Sequence, residues 1–299
     1  MSKLPKIGMV YGGWNSEAEV SKASSHFCSK VARECGYEVT EIELDRNLPT
    51  YLAKHKVDIV FNALHGQIGE DGSVQGLLNI LNIPFTHSGV TASAIAMDKL
   101  LSCRLFEGAD IKTPQKISLN EEKYVTPIDY SGPYVIKPRN DGSSIGVEII
   151  LDGRLCPRNR WDSKTKLIAE QYISGREITV SILQGKALCV TEIITSAKFY
   201  NYEAKYKIGG SQHILPASIP ESCTKKAMFW AEKAFTLLGC RGVARADFRW
   251  NEESDNLYLL ELNTQPGMTK TSLVPEQASY CNLSMHSLIT VLIEAAQCD

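Results

Sequence analysis

Two alternating runs near the end of the chain, Gly242-Val-Ala-Arg-Ala-Asp-Phe-Arg-Trp250 and Leu257-Tyr-Leu-Leu-Glu-Leu-Asn263, constrain the fold more than any other feature. Alternation of apolar and polar residues is the period of a half-buried strand, and the polar stretch 251–256 between them favours an antiparallel hairpin. Residues two apart share a strand face, so Arg245 and Asp247 point one way on the first strand, and Glu261 and Asn263 do so on the second. Placing Asp247 opposite Glu261 also brings Asn263 opposite Arg245. Two carboxylates, an amide oxygen and a guanidinium then crowd one patch. Packed carboxylates need a compensating cation, and oxygen ligands of this kind suit Mg²⁺, which is usually held by one or two carboxylates plus substrate phosphates. Pro266-Gly267 ends the second strand and offers a backbone turn beside the patch. The competing reading is a solvated face with an ordinary ion pair.

Length and charge narrow the partners. A chain of 299 residues has room for about two domains with sizeable cores, and 43% hydrophobic with 22% charged residues is ordinary for a soluble globular protein. The formal net charge of -2 argues against a nucleic-acid partner, so an anionic ligand has to be met by locally placed Lys and Arg. No apolar run approaches the roughly 20 residues of a membrane helix, and Ile7–Val10 is too short for a signal peptide. Nine Cys, with no Cys-x-x-Cys pair, fit reduced thiols in a cytosolic protein better than a disulfide framework.

From the N-terminus, residues 6–11 read as a buried strand followed by Gly12-Gly13 and a polar loop. Ser16 with Glu19 matches a capping box for a helix running to about Cys35, which accounts for Glu19 but not for Glu17. Strands are expected at Tyr37–Leu44 and Val57–Leu64, with a helix through Leu81 and a short strand at Ile83–Thr86. Strands alternating with helices imply a parallel, doubly wound sheet, whose carboxyl edge is where such sheets bind ligands. Glu17 and His65 both follow strands at that edge; a histidine there is also commonly just a hydrogen-bonded loop residue. Neither a dinucleotide-binding Gly-x-Gly-x-x-Gly nor a P-loop is present, which excludes those common classes. Val90–Gly108 reads as one long helix carrying Asp98-Lys99 and opening a second domain.

Residues 133–139 form a strand with Lys137 at its centre, joined to the strand Val147–Leu151 by a glycine-serine loop, 140–146. Small residues let backbone N–H groups approach phosphate oxygens there, although a plain hairpin turn explains them too. Further strands at Leu167–Ile173 and Glu177–Leu183 carry Glu170 and Glu177, separated from the hairpin before them by an irregular, Pro157-containing stretch, 152–166. Residues 199–212 suggest a mobile lid or a surface loop with packed aromatics. A helix over about 221–238 precedes the hairpin, and two short helices, from about Leu273 and Ser284, close the chain.

Taken together, Glu17, Leu64-His-Gly66, Gly69-Glu-Asp-Gly72, Met97-Asp-Lys99, Val135-Ile-Lys-Pro138, Gly142-Ser-Ser144, Tyr202-Glu-Ala-Lys-Tyr206, Arg245-Ala-Asp247 and Glu261-Leu-Asn-Thr-Gln-Pro-Gly-Met-Thr269 resemble, in order and spacing, the D-alanine–D-alanine ligases of the ATP-grasp superfamily. The resemblance spans essentially the whole chain. It implies an α/β, three-domain ATP-grasp fold with an N-terminal Rossmann-like parallel-sheet domain. The expected parts are an N-terminal domain at 1–89, a central domain at 90–178 and a C-terminal domain at 179–299, with ATP between the last two.

The implied reaction is ATP-dependent joining of two D-alanines through an acyl phosphate, for peptidoglycan synthesis in a bacterial cytoplasm, by a homodimer without nucleic-acid or membrane partners. By resemblance, Lys99, Lys137 and Lys205 contact phosphates, Gly142, Ser143 and Ser144 form the loop over the nucleotide, and Glu170 and Glu177 take its adenine and ribose. Asp247, Glu261 and Asn263 hold two Mg²⁺, with Mn²⁺ able to replace them; Glu261 also belongs to the nucleotide site. Arg245 and the Gly267 N–H form the oxyanion site. Glu17 and His65 place the first alanine, and Ser272 with Leu273 the second. Glu17, Ser143 and Tyr206 link the closed site. The alternatives are a D-alanine–D-lactate type ligase, which Tyr206 disfavours, and a catalytically silent nucleotide-binding module, which the intact Arg245, Asp247, Glu261 and Asn263 disfavour. Trp14 and Gln265 depart from the small residues usual in the family, and 152–166 is shorter than in relatives.

Overall fold

A computed structural model describes residues 3–15, 17–119, 124–125, 132–143, 145–152, 156–157, 160–195 and 210–299. β1 (Lys6–Tyr11) lies between β2 (Glu38–Glu43) and β3 (Ile59–Asn62), all parallel, with Ile7 level with Val39 on one side and Ile59 on the other. Ile7, Met9 and Val10 are fully buried, as expected of a strand covered on both faces. Helices α1 (Ala18–Glu34) and α2 (Leu48–His55) make the crossovers, and α3 (Ser73–Ile80) follows the third strand.

Three sequence expectations change here, and one helix was not anticipated. Helix α1 starts at Ala18 with Glu17 in the cap position, so Glu19 is its second residue rather than the third; Ser16, the other half of the expected capping box, lies outside the described residues. Asn15 Oδ1 accepts from Glu17 N at 2.9 Å. Helix α2 gave no clear periodic signal, because in so short an element only Leu48 and Leu52 are buried. The strand expected at 83–86 reduces to bridges at Phe85, parallel to Val60 and antiparallel to Gln297, and the neighbouring Pro84 has no N–H to donate. The long helix expected at 90–108 is two, α4 (Val90–Met97) and α5 (Lys99–Gly108). Asp98 breaks it with ψ 99°, and its carboxylate accepts from Leu100 N and Leu101 N at the start of α5.

The middle of the chain builds an antiparallel sheet ordered β4 (Lys116–Ser118), β9 (Leu167–Gln171), β6 (Tyr134–Pro138), β7 (Glu148–Ile150). A two-stranded pair, β5 (Tyr124–Val125) with β8 (Cys156–Pro157), lies beside it in sequence. The larger antiparallel sheet runs β12 (Ser211–Ile214), β11 (Lys186–Thr195), β10 (Arg176–Leu183), β13 (Val243–Asn251), β14 (Asn256–Asn263). Strand β11 and strand β4 were not anticipated. Residues 211–212, read as lid, belong to β12, while 199–209 lie outside the described residues. The division expected after residue 178 falls inside β10, whose eight residues pair throughout with β13.

Helix α6 (Glu221–Leu237) covers the large sheet, burying Ala227, Trp230, Ala231 and Phe235 against Ile178, Val180, Phe248 and Leu259. Helices α7 (Leu273–Tyr280) and α8 (Met285–Glu294) return to the N-terminal sheet, where Leu288, Ile289 and Leu292 share a core with Met9, Cys28 and Val31. That return packing holds the hairpin's exit against the carboxyl edge of β1 and β3. Among the described residues, no helix is long and apolar enough to cross a membrane.

Candidate active site

Asp247 pairs with Glu261 and Arg245 with Asn263, but through a bulge: Phe248 pairs with Leu259, so Leu260 is an extra residue on the second strand. Arg245 grips Asp247 with both arms of its guanidinium, Nε to Oδ1 at 2.8 Å and a terminal nitrogen to Oδ2 at 2.7 Å. Thr179, level with Asp247 on β10, donates its hydroxyl to Oδ1 at 2.6 Å. Across the hairpin, Glu261 Oε2 lies 3.8 Å from Lys99 Nζ. Burial lowers the Lys99 pKa and nearby Lys137 adds to the effect, with Glu261 opposing them. Two cations and two carboxylates therefore share a mostly buried patch.

Two adjoining cavities open from it. The first is lined by Glu17, His65, Ser143, Arg245, Gly267 and Ser272, together with Asn263 and Leu273. The second is walled by Val135, Ile149, Ile173 and Leu260 and carries Lys137, Glu170, Glu177 and Asp247. Lys99, Gly142 and Glu261 line both, so the acid patch sits at their junction. An apolar slot with two lysines and carboxylates at its rim suits a flat base with a polyanionic tail.

In the first cavity, the Ser143 hydroxyl donates to Glu17 Oε1, linking the glycine-serine loop to the start of α1. Gly66 has φ +67°, a conformation strained for other residues, and a Cβ there would stand 2.4 Å from Glu17 Oε2 and push this carboxylate aside. His65 is buried, with Nδ1 3.1 Å from the Gln265 carbonyl and 3.3 Å from Glu70 Oε1, and Nε2 3.3 Å from Ser24 Oγ. Burial pulls the His65 pKa down, but the bond to Glu70 and the charges of Glu70 and Glu17 outweigh it and leave it raised. At the far wall, Ser272 stands at the N-cap position of α7 without a side-chain bond to the helix; its Oγ instead accepts from Thr269 N at 3.0 Å. A Cβ on Gly267 would lie 3.0 Å from that oxygen.

In the second cavity, Lys137 donates to Glu170 Oε1 at 2.7 Å. Lys116 Nζ lies 3.2 Å from Oε2, near enough for an ion pair but off the direction of a hydrogen bond. Burial alone would raise the Glu170 pKa; the two lysines overcome it and hold it below the usual glutamate range. Glu177 pairs with Arg249 at 3.1 Å.

The structure thus gathers every sequence-predicted site residue that it describes; Ser144, Lys205 and Tyr206 lie outside the described residues. Sequence reasoning missed Lys116, Glu70 and Thr179. Glu70 had a signal, since it shares the glycine-bounded loop with His65, whereas Lys116 and Thr179 reach the site only through strand pairing.

The donor set fits a hard divalent cation: two carboxylates and an amide oxygen face one way on neighbouring strands. Among the described residues, no three His, Cys, Asp or Glu side chains form a metal cage, so phosphate oxygens would have to complete the coordination.

Comparison with known proteins supplies the family. The profile described as D-ala D-ala ligase C-terminus matches residues 106–294, and that described as D-ala D-ala ligase N-terminus matches residues 47–88. The chain belongs to the D-alanine–D-alanine ligase family. The D-alanine–D-alanine ligase of Cereibacter sphaeroides is 46% identical over 299 residues, covering 99% of this chain and 97% of that protein. The ligase of Zymomonas mobilis is 45% identical over 305 residues, covering 99% and 95%. Among solved structures, the Bacillus anthracis D-alanine–D-alanine ligase complexed with ATP superimposes with a TM-score of 0.82 at 28% identity, covering 98% of this chain and 97% of that one. The three-domain ATP-grasp architecture expected of the family is therefore present here.

Proposed function

We propose that this chain joins two D-alanines to D-alanyl-D-alanine at the expense of ATP, supplying a peptidoglycan precursor. The observation that carries the reading is the junction of the two cavities. An apolar slot with Lys99 and Lys137 meets, at Glu261, a small polar chamber holding both a carboxylate for an ammonium group and a guanidinium for an oxyanion.

The first D-alanine places its ammonium against Glu17, with His65 beside it, and its carboxylate toward the cavity junction. A carboxylate approaching polyphosphate meets strong repulsion, which Lys99 and Lys137 reduce. Mg²⁺ held by Asp247, Glu261 and Asn263 would neutralise phosphate charge and align the transfer. The carboxylate attacks the terminal phosphate and becomes an acyl phosphate. The second D-alanine rests its carboxylate on Ser272 at the start of α7, where backbone N–H groups and the helix dipole favour an anion. Its deprotonated amine attacks the acyl carbon. Arg245 and the Gly267 N–H stabilise the tetrahedral oxyanion, a donor contribution of about 3–4 kcal/mol each. Expulsion of phosphate completes the peptide bond. The Glu17–Ser143 contact closes the chamber against water, which would otherwise hydrolyse the acyl phosphate. Glu170 and Glu177 flank the base and ribose, and the nucleotide loop includes Gly142, Ser143 and Ser144. Lys205 and Tyr206 complete the closed site on the family's pattern.

Phosphate release from ATP that depends on D-alanine and Mg²⁺, with the dipeptide identified by mass spectrometry, tests the reading. No D-alanine-dependent turnover would reject it. Offering D-lactate in competition across pH separates a dipeptide from a depsipeptide enzyme, because the ammonium must be deprotonated before it can attack, whereas the hydroxyl is already neutral and gives up its proton only during attack. The same reading carries a cytoplasmic homodimer, which sedimentation of the purified protein checks.

A further inference from the structure

A buried amide joins the two ends of the amino-acid chamber. Gln265 stands two residues beyond β14 and is 2% exposed. Its Nε2 donates to the Asn62 carbonyl at 2.6 Å, and its Oε1 accepts from Asn62 Nδ2 at 3.3 Å. Asn62 is the last residue of β3 and is fully buried; its own Oδ1 accepts from Leu64 N at 3.1 Å, and its Nδ2 also donates to Gly69 O at 3.0 Å. The main chain of Gln265 extends the joint in both directions. Its N–H donates to Asn263 Oδ1 at 3.0 Å, and its carbonyl faces His65 Nδ1 at 3.1 Å.

One side chain therefore ties the exit of the catalytic hairpin to the carboxyl edge of the N-terminal sheet, with Asn263 and Gly267 on one side and His65 on the other. We propose that Gln265 is a positioning residue for peptide-bond formation: its clasp on Asn62 sets the span between the Glu17–His65 end, which holds the first amino acid, and the Arg245–Gly267 end, where the oxyanion forms. The proposal rests on the ligase reading. An apolar side chain of similar volume would take the Gln265 donor from the Asn62 carbonyl and the acceptor from one Asn62 Nδ2 hydrogen in a dry setting, so the hairpin exit would shift to relieve them. A misplacement of about 1 Å between reacting groups costs on the order of a hundredfold in rate. Transfer of phosphate to the first substrate lies at the cavity junction and depends less on this span. Attack by the second amine depends on it directly, so water gains on the amine and ATP is spent without dipeptide.

The test compares Gln265→Leu, Asn62→Leu and the double variant with the unaltered protein, measuring ADP and dipeptide in the same reaction together with thermal unfolding. The unaltered protein makes one dipeptide per ADP. The variants that melt cooperatively are expected to release clearly more ADP than dipeptide, with kcat for dipeptide down on the order of ten- to a hundredfold and KM for ATP moved less than about twofold. Gln265→Leu removes both bonds of the clasp, whereas Asn62→Leu leaves the carbonyl that accepts from Gln265 Nε2. Gln265→Leu is therefore expected to uncouple at least as strongly, and the double variant should add little to it in the ADP-to-dipeptide ratio. Where Gln265→Leu does not melt cooperatively, Gln265→Glu, which keeps the length and loses the donor, carries the same comparison. One dipeptide per ADP at unchanged kcat, or a lowered melting temperature with coupling intact, would overturn the proposal. An unaltered protein that makes no dipeptide at all rejects the ligase reading itself.

Discussion

Asp247 sits directly across the hairpin from Glu261, yet the two carboxylates live in different settings. Asp247 is buried and clamped by the Arg245 guanidinium through two bonds of 2.8 and 2.7 Å. Glu261 is more open, 3.8 Å from Lys99 Nζ at the junction of both cavities. Asp247 is thus pre-ordered by the Arg245 cation and the Thr179 hydroxyl, whereas Glu261 is placed to meet a ligand.

Glu261→Gln keeps the shape and removes the charge. Turnover should fall a hundredfold or more, since charge stabilisation at such a site is worth about 3 kcal/mol or more. D-alanine-dependent phosphate release, measured on protein with an unchanged far-UV spectrum, checks this; undiminished synthesis would contradict the role given to Glu261.

Glu170→Leu leaves Lys137 and Lys116 buried without their shared anion. Breaking a buried pair on one side costs about 3–5 kcal/mol, a loss that denaturant unfolding would register. The pH dependence has a definite sign. The folded Glu170 pKa lies below its ordinary value of 4.5, so the pair's contribution is fully present above that pH and is lost as pH falls through the lower folded value. The variant should therefore show a shallower acid slope below about 4.5.

His87 acts in the same direction over a higher pH range. It is buried against Phe61, with Thr86 Oγ1 2.8 Å from Nδ1; burial, with the charge of His65 adding to it, pushes its pKa from 6.5 to about 3. The folded state then binds fewer protons than the unfolded chain between those values, so this group makes the protein less stable as pH falls from 6.5 toward about 3. His87→Gln should remove up to about 1.4 kcal/mol per pH unit of that slope. Urea midpoints of both proteins between pH 6.5 and 5 decide it, and parallel lines would refute it.

Asp98→Ala removes the cap of α5 and the fork from Arg139, whose Nε and terminal nitrogen reach the carboxylate at 2.8 and 2.7 Å. The cap is worth about 1 kcal/mol. Because Lys99 is the next residue and its N–H bonds to the Arg139 carbonyl at 3.2 Å, KM for ATP should rise more than KM for D-alanine. Steady-state kinetics with each substrate varied in turn measures the difference.

What could be read from residues alone is the local and periodic part. The pairing of Asp247 with Glu261 and Arg245 with Asn263 was expected from the sequence, but unbroken alternation would put Glu261 and Asn263 on the face of Leu257 and Leu259. The bulge at Leu260 sends Leu262 into the core with those leucines and turns the polar pair away from it. The order of motifs was equally legible, since each acid, lysine or glycine run sits on its own short stretch of chain. Where two local rules competed, sequence reading failed. Glu17, not Ser16, holds the cap position of α1, with Asn15 accepting from its N–H, and Asp98 proved to end one helix and begin another.

Tertiary structure alone decided which distant residues meet. Lys116 reaches Glu170 through the β4–β9 pairing, and Gln265 finds Asn62 across 203 positions. Such contacts leave no period in the sequence, because a buried lysine or amide reads like any surface polar residue until its partner is known. Packing of α8 against α1, which brings the hairpin's exit to the carboxyl edge of β3, is what makes those partners adjacent. The chemistry was therefore written in residue types, and the geometry that joins them arose only when separate sheets buried their apolar faces against shared helices.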